Sequence, residues 1–215
     1  MMSIKIAGGV EEDGIVIGNA YDKYNSRNPL ARRMVTGFDD ALSSLVSKIQ
    51  PKTIHEVGCG EGYWVMRWLA QGIETRGSDF SKKVIGMARA EARERGLDAT
   101  CFEARSIYEM APERDSADLI VCCEVMEHLE EPERAMRVLQ GIVGADLIIS
   151  VPREPLWRIL NMARCKYLSD FGNTPGHLQH WSKGGITALV QRYFEVVEVL
   201  SPLPWTMIHC RRKQS

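Results

Sequence analysis

The sequence predicts an α/β protein built on a doubly wound, largely parallel β-sheet. Three observations lead there. Short continuous apolar segments alternate with amphipathic helical ones along most of the chain, a glycine-rich turn joins the first of these strands to a helix, and the chain finishes in two strand-like segments joined by a proline turn. Strands that are apolar throughout are covered on both faces, and the intervening helices supply that cover and the crossovers that parallel pairing requires.

Residues 29–48 place Leu30, Met34, Val35, Phe38, Leu42, Leu45 and Val46 three and four apart, with Ile49 following, which predicts an amphipathic helix. A short buried strand is expected over 53–57 and a helix over 62–71, ended by Gly72. A second strand follows at 73–79, and Ser81 is placed to cap a helix running to Gly96. Further strands are expected at 99–104 and 117–123, then a helix at 132–141 with Pro132 in its first turn, then a continuous apolar strand at 145–151. The finish is a helix at 186–193, a strand at 194–200, the turn Ser201-Pro202-Leu203-Pro204 and a last strand at 205–210. So short a connection forces an antiparallel pair, because a parallel return needs a crossover of about a dozen residues or more. The expected organisation is an N-terminal segment over 1–28, placed to serve as a lid, and one domain over 29–215 with a helical insertion at about 153–175.

At 215 residues and 45% hydrophobic, the chain can bury one sizeable core. A formal net charge of −1 provides no global positive field, which speaks against a nucleic-acid partner. The six cysteines include no CxxC pair, so they read as reduced thiols and not as a metal cluster. No leader and no membrane-spanning run is recognised, and a soluble, cytoplasmic protein is expected, with its oligomeric state left open.

The most informative stretch is Gly58-Cys59-Gly60-Glu61-Gly62, set between the strand Thr53-Ile54-His55-Glu56-Val57 and the apolar helix start Tyr63-Trp64-Val65-Met66. Glycine serves where backbone turns sharply and approaches a ligand, and Asp79, ending the next strand, is placed to accept ribose hydroxyls. The dinucleotide fingerprint needs glycine at its sixth position, which here is Tyr63, so a dehydrogenase fits poorly. The pattern Glu56-x-Gly58-x-Gly60-x-Gly62 with Asp79 beyond it instead resembles motif I of class I S-adenosylmethionine-dependent methyltransferases. That resemblance extends over about residues 53–210. It implies a Rossmann-like, seven-stranded sheet closed by an antiparallel hairpin, S-adenosyl-L-methionine as cofactor, and a small-molecule methyl acceptor. The cofactor set it implies is Glu56, Gly58, Cys59, Gly60 and Gly62 at the amino-acid end, Asp79 and Phe80 at the ribose and ring, and Ser106 with the Ile107 amide at adenine. Ser106 departs from the aspartate common at that slot. An aromatic residue ahead of the first helix, Tyr24 or Tyr21, is placed to close over the cofactor.

After the strand at 117–123 comes Glu124-Val125-Met126-Glu127-His128, beside the expected pocket. Glu124 faces cofactor or substrate there, and His128 is placed to act as general base near neutral pH. With His177, the residues Glu124, Glu127 and His128 also compose a carboxylate and imidazole set suited to a divalent metal. Its spacing looks like that of ubiquinone-biosynthesis O-methyltransferases and of 2′-O-methyltransferases acting on RNA ends, which makes the second an alternative function. A non-catalytic cofactor-binding module is a third, with Trp181, Trp205 and the apolar insertion as interface. The insertion carries Leu156, Trp157, Ile159, Leu160 and Ala163 on an apolar face and Arg153, Arg158, Arg164 and Lys166 toward water or an anionic substrate.

Overall fold

A computed structural model describes residues 5–8, 11–12, 15–16, 18 and 28–213. Helix α1 (Pro29–Ile49) starts where Asn28 Oδ1 accepts the Leu30 amide at 2.9 Å and Pro29 occupies the first turn. Five strands then alternate with helices: β1 (Thr53–Val57), α2 (Tyr63–Ala70), β2 (Glu74–Asp79), α3 (Lys82–Glu94), β3 (Phe102–Ala104), α4 (Pro112–Asp115), β4 (Ala117–Cys123), α5 (Pro132–Ile142) and β5 (Val143–Pro152). Helix α6 (Leu156–Ala163) lies in the insertion, and α7 (Lys183–Tyr193) leads into β6 (Phe194–Leu200) and β7 (Trp205–Arg212).

The seven strands form one sheet in the order β3-β2-β1-β4-β5-β7-β6. The first five are parallel, and β7 runs antiparallel to both β5 and β6. This is the Rossmann-like arrangement with a terminal hairpin that the sequence predicted. The winding reverses between β1 and β4, so a crevice opens at their carboxyl ends. One apolar cluster joins α1, α2 and α3 to the sheet through Leu42, Trp64, Met66, Ile85 and Phe102. The other joins α5 and α7 through Met136, Leu139, Ile186 and Val190.

The boundaries differ from expectation where local chemistry intervenes. Residues 99–101 are a 3₁₀ turn and not strand, because Asp98 accepts the Thr100 amide at 2.8 Å and caps it. The last helix begins at Lys183, three residues early, because Ser182 Oγ accepts the Gly185 amide. Strand β5 is longer than predicted since β4 and β7 pair with it on both sides. Helix α4 has four residues, and near it a cavity of about 140 Å³ is lined by His55, Arg76, Ser78 and Asp115. No helix among the described residues is long and apolar enough to cross a membrane.

Candidate active site

The glycine loop leaves β1 by folding back on β2: the Gly58 and Cys59 amides both donate to Ser78 O, at 2.7 and 2.9 Å. Gly58 has φ 78°, and a Cβ there would overlap Val125 Cγ2 from the loop after β4. Gly60 has φ 52° but opens onto empty space, with nothing within 4 Å of a Cβ position. The first glycine is therefore demanded by packing, and the second leaves a clear approach to the backbone. Gly62 caps α2.

Asp79, at the end of β2, braces this loop. Its Oδ2 accepts the Gly60 amide at 3.1 Å, its Oδ1 accepts the Ser81 amide at 3.0 Å, and the side chain is 8% exposed. The Asp79 carbonyl accepts the Arg105 amide, tying the ends of β2 and β3 together. Phe80, next to it, is 47% exposed. Glu56 is buried in β1, opposite Gly77 in β2 and Val121 in β4. Cys59 is buried too, and that burial, with Asp79 and Glu56 close by, pushes its thiol well above the ordinary range; it is no nucleophile. Ser106 caps the 3₁₀ turn Ile107–Glu109, accepting the Tyr108 amide while Glu109 reaches back to the Ser106 amide. Its hydroxyl is thus already used in a capping box, and Ile107 is buried. Tyr21 and Tyr24 lie outside the described residues.

Beyond β4 the chain turns through Glu124, held in the left-handed region at φ 59°. The Glu124 amide donates to Ser150 O, its Oε1 accepts the Ser150 hydroxyl at 3.0 Å, and its Oε2 accepts the Trp205 indole N–H at 2.6 Å. Trp205 is 7% exposed, which corrects its assignment to an interface. The sequence carried no sign of its role, because only the β5–β7 register, Pro152 opposite Trp205, brings it to the carboxyl ends. Trp205 also meets Phe38 and Trp157, with ring centroids 5.1 and 5.8 Å away, and Trp157 stacks over His177 at 6.1 Å. Trp157 is held by its N–H on Thr174 Oγ1 at 2.9 Å.

Glu127, His128 and His177 converge, each offering a ligand atom within 4.8 Å of the others. Glu124 is not in this group, its carboxylate being engaged by Ser150 and Trp205 as described, so the four-residue set expected from the sequence is corrected to three. Loop 176–179 is fastened here by Leu178 and Gln179 amides that donate to Glu127 O. His128 donates Nδ1–H to Gly176 O at 2.9 Å, because a carbonyl can only accept, which leaves a lone pair on Nε2. His128 is exposed at the surface, yet the chain packed around its ring desolvates it and lowers its pKa, the Gly176 carbonyl only partly offsetting this. Burial, then the neighbouring His128 and His180, lowers His177 to about 3. Both rings are neutral near pH 7, the form in which imidazole takes up a proton or binds a metal.

Residues 55–146 match the family model described as a methyltransferase domain. Ubiquinone biosynthesis O-methyltransferase of Aeromonas salmonicida is 26% identical over 120 residues, covering 54% of this chain and 50% of that protein. The chain spans about half the length of the curated relatives it matches. Among solved structures, magnesium protoporphyrin IX methyltransferase from Synechocystis PCC 6803 with bound SAH superposes with a TM-score of 0.66 at 18% identity, covering 88% of this chain and 90% of that one. The PH0226 protein of Pyrococcus horikoshii OT3 superposes with a TM-score of 0.70 at 17% identity, covering 90% and 96%. Motif, strand order and these matches agree: over residues 55–146 the chain is similar to methyltransferase domains, and its fold is shared with solved S-adenosylmethionine-dependent methyltransferases.

Proposed function

We propose that this protein transfers the methyl group of S-adenosylmethionine to an oxygen or nitrogen of a small-molecule acceptor. The observation that carries this reading is the glycine loop itself: Asp79 holds the Gly60 amide while Gly60 faces open space at the carboxyl ends of β1 and β2. Gly58, Gly60 and Gly62 admit the amino-acid end of the cofactor, with Glu56 ordering the loop. Asp79 takes the ribose, Phe80 covers the ring, and Ser106 with Ile107 meets adenine. The sulfonium supplies an already activated methyl, so the protein's part is alignment, exclusion of water and proton uptake. Glu124, clamped by Trp205 and Ser150, lines the acceptor side, and His128 Nε2 accepts the proton of a hydroxyl or amine. Supplying labelled cofactor with a metabolite fraction, an RNA fraction or neither tests this: label should enter the metabolite fraction. Bound cofactor with no transfer in any arm would identify a binding module instead.

A second reading rests on the convergence of Glu127, His128 and His177. The residues suit a divalent cation, since both imidazoles are neutral and the Gly176 carbonyl orients the ring of His128 so that Nε2 is the ligand. A cation there would favour oxygen acceptors, 2′-hydroxyls of RNA ends included, and turnover would then stop with chelator and return with Mg²⁺, Mn²⁺ or Zn²⁺.

A further inference from the structure

Among the described residues six arginines are half-buried, and five have evident work. Arg67 pairs with Asp39 and Arg105 with Asp115, while Arg76, Arg89 and Arg158 donate to main-chain carbonyls. Arg153 is the exception: among the described residues its guanidinium meets no carboxylate and no carbonyl. Yet its backbone is fixed on both sides, its amide donating to Pro204 O at 2.9 Å and its carbonyl accepting the Trp157 amide at 2.9 Å. It follows β5 directly, at the carboxyl edge of the sheet, where Ser150 holds Glu124. Glu154, next in the chain, accepts the Arg158 amide, and Glu124 is held by Trp205 and Ser150.

Arg153 is half-buried without the protein partner that the other five have, and its five forked N–H donors suit a carboxylate or phosphate in a bidentate pair. We infer that Arg153 pairs with an oxyanion group on the methyl acceptor, which makes the substrate a small organic acid whose flat or apolar body lies along Trp157. This rests on the methyl-transfer reading above and adds the acceptor's charge class to it.

The test is calorimetry on the whole protein, with and without S-adenosylhomocysteine, titrating benzoate, phenyl phosphate and the neutral isostere benzamide. One of the two anions should bind at least tenfold more tightly than benzamide; which one does identifies the oxyanion. Arg153→Gln should weaken that anion about 10- to 100-fold, Arg153→Lys less, because a point charge keeps the attraction but not the fork. Unchanged S-adenosylhomocysteine affinity in both variants shows that the fold is intact. Equal binding of anion and benzamide, no binding of either anion, or an Arg153→Gln variant that holds the anion like the parent would overturn the inference. Failure of the parent to bind S-adenosylhomocysteine would instead strike the methyl-transfer reading, and the anion titration without it still decides the role of Arg153.

Discussion

His128 is set up as a base in two ways: the Gly176 carbonyl holds its proton on Nδ1, and partial desolvation of the ring favours its neutral form. His128→Ala should therefore lower turnover about 10²- to 10⁴-fold while leaving cofactor affinity nearly intact. Because that desolvation lowers its pKa, the acid limb of the rate profile should fall below the ordinary histidine range, and a limb above pH 7 would assign the titration to another group. Asp79 works twice, holding the Gly60 and Ser81 amides as well as the proposed ribose contact. We expect Asp79→Ala to weaken S-adenosylhomocysteine by about 1–3 kcal/mol in calorimetry, and a folded variant of unchanged affinity would remove Asp79 from the site.

The loop between β1 and α2 is coupled to the loop after β4 through one contact, Gly58 against Val125. A side chain at Gly58 meets two penalties, a left-handed backbone at φ 78° and the overlap with Val125 Cγ2. Gly58→Ala should thus lose about 1–2 kcal/mol from the backbone term and more from the overlap. The double variant Gly58→Ala, Val125→Ala should recover the second part but not the first, measured by urea denaturation; no recovery would mean that Val125 is not the obstacle. Helix α6 with the turns after it bears exposed Ile159, Met162, Leu168 and Phe171 and fills no place in the sheet. As the cover of the site it should show slower hydrogen exchange over 153–175 once S-adenosylhomocysteine and acceptor are bound, whereas equal protection in both states would mark it as fixed cladding. The N-terminal segment over 1–28 lies mostly outside the described residues.

At the scale of the molecule, acid sensitivity should come from histidines buried in the neutral form. His55, 2% exposed, meets Asp115 O through Nδ1 at 2.8 Å and Ser78 Oγ through Nε2 at 2.9 Å, and burial lowers its pKa from 6.5 to about 4. The unfolded chain then binds the extra proton first, so this stabilisation is complete above about pH 6.5, declines as pH falls toward 4 and is level below that. Its size is about 3 kcal/mol. His55→Gln should be less stable at pH 7 yet lose less between pH 7 and 4.5, and a variant with the parent's slope would place the acid sensitivity in other groups such as His177.

The alternation of apolar strands and helices, the proline turn and the glycine spacing are local patterns, and local patterns survive in a sequence: they specified the parallel sheet, the antiparallel end and the loop after β1 before any contact was known. Glu56, Asp79, Glu124 and His128 could be named as candidates for the same reason, since each sits within a few residues of a strand end. Trp205 was not legible as a neighbour of that site, whereas Trp157 and Arg153 were expected only as members of the insertion, on its apolar and basic faces. Trp205 reaches Glu124 from 81 positions away only because β7 inserts beside β5, and the pairing of Trp157 with His177 depends on how the insertion folds back. The three-residue convergence of Glu127, His128 and His177, and the withdrawal of Glu124 from it, likewise depended on which hydrogen bonds the packed chain could complete. Strand and helix periodicity is written residue by residue, but partners across a sheet are chosen by register and burial of the whole chain, which is why the elements followed from sequence and the wall of the site from tertiary structure.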